Sequence, residues 1–479
     1  MTVASFVLAL AIRADGSAGP NPPQPAEAAR PAAPTPTTTP GVLSPVRTVP
    51  GLAVGVQLRA YDFNRENGVQ NLSNPNRSAF NVGGFVRLDY DIAKSPLHVA
   101  TTYFGAYPFG ANGPKAQYNA QVDDTVPGFA LSTLDEAYLR YRDAHTNTTL
   151  GDQIINTPWA LAADTRLKAA AFQGLDANYT FGSRLTLGIS RMIRFEGRTS
   201  SAFDRNTLLT SRPAGSPPYK AYDTAGFLLA DLTYRSPDTM TATVDNYSFY
   251  DIANLFYAEI RDSLAPKSPF HPTAAVQYVN EHSEGRAVIG RVANDTYGVQ
   301  VAANLNRNVL FALGFDTAPI HYQTVAATSA TRAAQNTFLP AGGTTATVGL
   351  GRGLHRLAYG GIASPYTEAY TADPLFTTSI SQGMVERHSP GTAYKVSLTF
   401  TPDNKRVRGI LSQAYYDYGN ALGTNRTYET DVDVTYYFSP ARTTGPYKGV
   451  SFRERFANRQ QPTLPYDFKY IRTQLQYDF

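Results

Sequence analysis

From Leu52 onward, apolar and polar residues alternate along much of the chain with a period of two. The last segment, Asp467–Phe479, shows the pattern plainly. Ile471, Thr473, Leu475, Tyr477 and Phe479 fall on one side, and Tyr470, Arg472, Gln474, Gln476 and Asp478 on the other. A strand sends successive side chains to opposite faces, so one face of this segment suits lipid and the other suits water. Segments of this kind recur about 18 times, an even number within the range of outer-membrane barrels. The first are Leu52–Phe63 and Ala79–Ile92. Later ones include Tyr222–Arg235 and Tyr428–Phe438, and the last two are Lys448–Asn458 and Asp467–Phe479.

The connections sort by parity. Most of those after even-numbered segments are short (AKSP, AHTN, GS, SPDT, LNR, TPDNK). Most of those after odd-numbered segments are long, such as Pro108–Ala130, Phe195–Ala221 and Thr317–Gly391. The exception is Tyr250–Asp251, where a long loop is due and almost none is present. Short turns at one end and long loops at the other are the habit of outer-membrane barrels. The expected fold is therefore all-β, a transmembrane antiparallel β-barrel in the bacterial outer membrane. Phe479, a terminal aromatic, is the expected contact for the barrel-assembly machinery.

Composition changes this picture little. Hydrophobic residues make up 42% of the 479. No run of about 18 apolar residues offers a helical span, whereas a barrel spans with alternating strands. The counts of 31 Tyr and 25 Phe beside one Trp suit strands and membrane girdles. A net charge of +4 argues against nucleic acid as a partner, and the absence of cysteine excludes disulfides and thiolate metal sites.

Residues 1–15 read as a signal segment. Val3–Ile12 is a short apolar run, and Ala9-Leu10-Ala11 offers a cleavage pattern. The missing basic flank predicts a true start upstream of Met1. Residues 16–50, rich in Pro, Ala and Thr, are expected to be a disordered leader. The barrel domain is placed at residues 51–479.

With the apolar face of each segment outward, Val54, Val56, Leu58, Val86 and Leu88 meet lipid, as do Leu139 and Tyr141. Arg59, Arg87, Arg140, Arg142, Lys395, Arg406, Arg408, Arg453, Arg455 and Arg472 then face the lumen, with Glu429, Asp431 and Asp433 beside the arginine-rich strand. Two residues fit poorly: Arg191 is expected near the outer rim, and Glu454 is expected at a bulge or a shifted phase. The lumenal arginines gather on the last and first segments, which meet where a barrel closes. Any one of them could simply pair with a neighbouring carboxylate. As a set they predict a basic stripe that attracts anionic or zwitterionic solutes, because a guanidinium presents a planar fork matched to a carboxylate.

Several stretches resemble the OprD family of substrate-specific outer-membrane porins: LGDQIINTPWALAADTRLKAAAFQG from Leu150, ANLFYAEI from Ala253, ADPLFTTSISQGMVERHSPGTAYKV from Ala372, and the C-terminal YKGVSFRERFANR…YDFKYIRTQLQYDF. The resemblance implies an eighteen-stranded barrel with an inward-folded third loop, a basic ladder, and uptake of small, often carboxylate-bearing solutes. It places Pro158, Asp164, Arg166 and Lys168 in the constriction loop, with Arg166 touching solute or pinned by Asp164. It makes Asp373 an acidic partner at the narrow region. The chain departs from the family in its leader and in its long seventh outer loop, where TVAATSATRAAQ (from Thr324) and PAGGTTATVGLGRG (from Pro340) are expected to be flexible.

No catalytic residue, cofactor or metal site is expected. The seven histidines are scattered without HxH or HxxxH spacing, and GLGRG lacks the strand and helix of a phosphate-binding loop. The expectation is a passive, substrate-selective diffusion channel that acts as a monomer or trimer in outer-membrane lipid. The rival classes are a barrel hydrolase and a non-conducting adhesin or scaffold.

Overall fold

The computed structural model describes residues 46–67, 76–113, 126–162, 167–210, 223–237, 239–340, 347–367, 373–439, 447–461 and 467–478. Nineteen strands share one antiparallel sheet. Eighteen of them form a closed ring: β1 (Leu52–Glu66), β2 (Arg77–Asp91), β3 (Leu97–Tyr107), β4 (Leu131–Arg142), β5 (Thr146–Gln153), β6 (Ala171–Phe181), β7 (Leu185–Glu196), β8 (Phe227–Arg235), β9 (Thr241–Phe249), β10 (Ala253–Ser263), β11 (Thr273–Ser283), β12 (Ala293–Asn306), β13 (Val309–Ala318), β14 (Gly391–Phe400), β15 (Val407–Asn420), β16 (Gly423–Tyr437), β17 (Val450–Gln460) and β18 (Phe468–Asp478). Each pairs with the next, and β18 returns to β1 from Gln57↔Asp478 to Glu66↔Lys469. Closure leaves no edge of unpaired amides, the condition for sheet to exist in lipid.

The nineteenth strand, Val46–Val49, falls in the stretch assigned to the leader. It pairs antiparallel with the start of β1, Val46 with Val54 and Val49 with Leu52. The reason is geometric. β18 stops opposite Gln57, so the first residues of β1 would otherwise show an open edge. The expected signal segment and the leader up to residue 45 lie outside the described residues, as does Phe479.

Inside and outside separate as the alternation predicts. Leu58 is 53% exposed on the outer face, while its neighbours Gln57 and Arg59 are each 3% exposed inside. Arg191 projects outward near the outer end of β8. There it donates to the Phe227 carbonyl at 3.2 Å and lies 4.8 Å from the Tyr250 ring centre. Glu454 corrects the expected bulge. The register of β17 runs unbroken against both β16 and β18, so the carboxylate does face outward. The Thr473 hydroxyl, outward on the next strand, donates to it at 2.8 Å.

β16 begins at Gly423, earlier than the alternation marks. Gly423–Thr427 reads GTNRT, polar on both faces, and pairs with Tyr416–Asn420. A strand that rises clear of lipid needs no apolar face, so alternation cannot mark it. Its turn is only Ala421–Leu422, with the Asn420 side chain accepting from the Leu422 and Gly423 amides at 2.8 and 3.1 Å. The long-loop end therefore has two tight turns. The other is Tyr250–Ile252, where Asp251 adopts φ 64° and its carboxylate pairs with Arg286 at 3.0 Å.

The connection from β13 to β14 has a projecting part and an inward part. The projecting part is a three-stranded sheet (His321–Ala326, Thr347–Gly351, Leu354–Tyr359) with a helix at Ala327–Gln335. The stretch TVAATSATRAAQ, expected to be flexible, is thus strand and helix. In PAGGTTATVGLGRG, residues 347–353 are ordered sheet and turn, and 341–346 lie outside the described residues.

One consequence concerns the lipid face. Ile189 is 50% exposed on the outer face of β7, between Ala177 and Ala230 of the flanking strands. Ile189→Arg is expected to lower folding stability in lipid vesicles by about 2–4 kcal/mol, measured by urea titration.

Candidate functional site

The lumen is narrowed by loops that fold inward from the long-loop end. The third, between β5 and β6, carries a two-rung hairpin, Asn156–Thr157 with Ala160–Leu161. Trp159 at its tip is fully buried. Its amide donates to the Tyr247 hydroxyl at 3.2 Å, and its ring meets Tyr257 edge-on at 6.3 Å. Ala160 bridges to Tyr366 of the long seventh loop, whose Pro365 carbonyl in turn accepts from Leu208 of the fourth loop at 3.0 Å. The Tyr366 ring packs among Phe172, Phe195, Phe227 and Phe249. Aromatic burial thus joins three loops to the wall of β6–β9.

The inward part of the seventh loop, residues 373–389, is buried almost throughout. A buried irregular segment must find partners for its amides, and here the wall supplies them as carboxylates. Asp316 accepts from the Thr377 amide and hydroxyl, each at 2.7 Å. Glu429 accepts from the Ser381 amide at 2.6 Å and its hydroxyl at 2.7 Å. Asp431 receives the Ile380 amide at 3.3 Å, and Glu281 receives the Ala363 amide at 2.7 Å. Lys395 donates to the Thr378 carbonyl. Glu429 stands directly across from Arg459 of β17, as the alternation implies, and both it and Asp431 also accept from the loop.

Asp433 is the carboxylate that meets Arg453 and Arg455. It takes Nε and a terminal nitrogen of Arg453 at 2.8 and 2.6 Å, and Nε of Arg455 at 2.7 Å. Arg472 stands directly across from Arg455 on β18 and donates to the Tyr61 hydroxyl of β1 at 2.6 Å. Arg59, lower on β1, donates to Gln476 at 3.0 Å. Arg453, Arg455 and Arg472 of the last two strands thus stand together, while Arg59 of the first strand pairs apart from them, opposite Gln476. Half the ring away, Asp176, Asp231, Asp245 and Glu259 turn inward on β6, β8, β9 and β10. Asp231 lies directly opposite Asp245, and Arg261 pairs with Glu259 at 3.3 Å. This acidic row was not singled out from the sequence, although its parity is visible there.

The remaining predicted residues are dispersed. Arg87 is held by Glu136 at 2.9 Å and Asp89 at 3.4 Å. Arg140 donates to Thr149 at 3.0 Å over the Tyr138 ring, and Arg142 is exposed at the short-turn mouth. Arg406 lies in the turn before β15, and Arg408 is half-buried on that strand. Lys168 is buried between Asp135 at 3.1 Å and Glu196 at 3.3 Å. Asp164 and Arg166 lie outside the described residues. Asp373 caps its own loop, accepting from the Thr378 hydroxyl at 2.6 Å and the Leu375 amide at 3.1 Å. Among the described residues, Asp89, Asp91 and His98 bring three possible metal-ligand atoms within 4.8 Å of one another. They are already engaged, Asp91 with His98 at 2.6 Å and Asp89 with Arg87.

With that geometry in view, known proteins are informative. Residues 52–332 match the family described as outer membrane porin, OprD family. No curated protein sequence matches the chain. Several solved structures share the fold. Pseudomonas aeruginosa OpdK with vanillate gives a TM-score of 0.64 at 14% identity, covering 90% of this chain and 99% of that one. A BenF-like porin from Pseudomonas fluorescens Pf-5 gives 0.68 at 13%, covering 90% and 99%. Acinetobacter baumannii OccAB3 gives 0.67 at 13%, covering 90% and 100%. Identities this low carry the fold alone.

Two outcomes follow from the loop contacts. Glu429→Ala strands the Ser381 amide and hydroxyl, and a buried donor without a partner costs about 1–3 kcal/mol. Limited proteolysis within residues 373–389 should accelerate in that variant while the barrel stays intact. The second concerns pH. Burial pushes the Asp373 carboxyl up to about 7, against the pull of its Thr378 and Leu375 hydrogen bonds. The folded state then holds a proton that the unfolded state releases near pH 4, so this residue's contribution to stability falls as pH rises from about 4 to 7. Asp373→Asn keeps an acceptor oxygen without the charge. Its thermal midpoint relative to the parent should rise between pH 5 and pH 8; a constant difference would exclude this assignment.

Proposed function

The chain belongs to the OprD family of outer membrane porins, and from that premise we propose that it is a passive, selective channel for small carboxylate-bearing solutes. Porins are channels rather than enzymes, and the bacterial outer membrane is where this chain resides. The observation that carries the finer reading is the seam. Arg453, Arg455 and Arg472 occupy neighbouring inward positions around one carboxylate, Asp433. Like charges directly opposite one another on a sheet are unfavourable, and an anion between them relieves the repulsion. Asp433 supplies one such anion permanently. A passing carboxylate can supply another at Arg453, the most exposed of the three at 12%, because a guanidinium has five donors and Asp433 takes two of those on Arg453. Rows of charge along a narrow lumen are an established basis of pore selectivity.

The acidic row on β6–β10 supports a refinement. A solute with a carboxylate at one end and a cationic group at the other could face both walls at once. Zwitterions thus join anions in the proposed substrate class. The vanillate in the OpdK structure suggests an aromatic carboxylate as a first probe.

The expected result in planar bilayers is small-conductance channels, and complete absence of conductance would defeat the proposal. In liposome uptake, Arg453→Gln should slow carboxylates several-fold while leaving neutral solutes of equal size little changed. Equal slowing of both would mean that the arginines serve the fold and not the passage.

A further inference from the structure

The third loop is held by an irregularity in β4. Between β3 and β4 the register slips: Thr102 lies opposite Glu136, and Tyr103 opposite Leu134. Asp135 is the extra residue. A regular strand sends only one of two neighbours inward; a bulge re-aims the side chains beside it. Here Asp135 and Glu136 are both buried inside, 4% and 3% exposed.

The two carboxylates take opposite ends of one loop. Glu136 Oε1 accepts from the Ile154 amide, at the loop's entry, at 3.4 Å. Its other oxygen is fixed by Arg87 at 2.9 Å and the Thr102 hydroxyl at 2.6 Å. Asp135 meets the Lys168 ammonium, at the loop's exit, at 3.1 Å. Lys168 reaches on to Glu196 of β7 at 3.3 Å and donates to the Gly197 carbonyl at 3.2 Å. The Thr133 hydroxyl donates to that same Glu196 oxygen at 2.7 Å. A cavity of about 20 Å³ lies among Arg87, Asp135, Glu136, Ile154 and Lys168, room for about one water.

We propose that this bulge is the clamp that sets the constriction, and that Lys168 is its positioning residue rather than a contact for solute. Asp135 and Glu136 fix the exit and entry of the loop at one height on the wall, so the hairpin bearing Trp159 projects a fixed distance into the lumen. Lys168 brings a cation to two buried carboxylates on different strands. Replacing it with a neutral side chain leaves Asp135 and Glu196 without that charge, and removing one member of a buried ionic group is strongly destabilising locally. The consequence for solute flow rests on the channel reading above; the clamp itself can be tested without conduction.

Trp159 is the single tryptophan of the chain and sits in this loop, so its fluorescence reports the loop directly. In refolded protein whose gel mobility shows a closed barrel, Lys168→Met should shift Trp159 emission to the red and raise acrylamide quenching several-fold. Asp135→Asn and Glu136→Gln should move both signals the same way, and Lys168→Arg should restore them towards the parent. In bilayers, Lys168→Met should raise open-channel current noise without moving the reversal potential in a salt gradient. Unchanged Trp159 signals in Lys168→Met and Glu136→Gln alike would overturn the clamp. So would a shifted reversal potential without added noise, since Lys168 would then line the path. A silent parent channel beside a responsive Trp159 would defeat the channel reading and leave the clamp standing.

Discussion

The closed ring of backbone hydrogen bonds, with lipid on one side, dictates the rest of this structure. Because β18 pairs with β1, the sheet has no edge, and charged side chains must turn inward or sit near a rim unless a neighbour on the same face supports them. Arg191 takes the rim under Tyr250. Glu454 stays outward with Thr473 as a donor. Most other charges face a lumen too narrow to hydrate them fully, so they must satisfy one another or satisfy a loop. The inward loops are the second half of that arrangement: they bring amides, and the wall offers carboxylates.

This exchange explains why the barrel was legible in the sequence and the site only in part. Alternation with a period of two marks all eighteen strands, because a charged residue on the lipid face costs about 2–4 kcal/mol at the bilayer midplane and is therefore rare there. It fails at Gly423–Thr427, which stands above the lipid and has no face to write. It also misses Val46–Val49, a short strand in a Pro-rich stretch whose reason to pair is the open edge of β1. Parity turns Arg453, Arg455 and Arg472 to one face, and the hairpin of β17 and β18 sets Arg455 directly across from Arg472. Parity could not say which partner each inward charge takes. Asp433 accepts from Arg453 and Arg455, whereas Glu429 and Asp431, on the same face of the same strand, accept from loop amides 48 and 51 residues away in sequence. Nothing local distinguishes the three.

The β4 bulge shows the same limit more sharply. In LSTLDEAYLR, strict alternation must choose between Asp135 and Glu136 as the inward residue. It chooses Glu136, which agrees with Tyr138 and Arg140 beyond it. That Asp135 turns inward as well follows from the needs of Lys168, a residue on another loop. Lys168 itself looked like one more cation of the path. The seam arginines Arg455 and Arg472 are just as buried; what sets Lys168 apart is that its two carboxylate partners stand on different strands, Asp135 on β4 and Glu196 on β7, and only the third dimension reveals that.

A channel that favours anions has to keep its own carboxylates from repelling them. This chain carries many inward acids, yet Asp316, Glu281, Glu429 and Asp431 all spend at least one oxygen on the amide of an inward loop. A carboxylate under a peptide N–H presents a weaker field to a solute than a bare one, and the loop above it adds distance. The loops therefore do two things at once on the channel reading: they narrow the lumen, and they cover acids that would oppose the seam. Asp176, Asp231 and Asp245 lie half a ring from the arginines, where no loop amide is seen to take them among the described residues. An anion close to the seam is far from them, while a zwitterion can use both. Fold and selectivity then draw on the same groups, and the wall carboxylates that dock the loops become as important to the passage as the arginines that would line it.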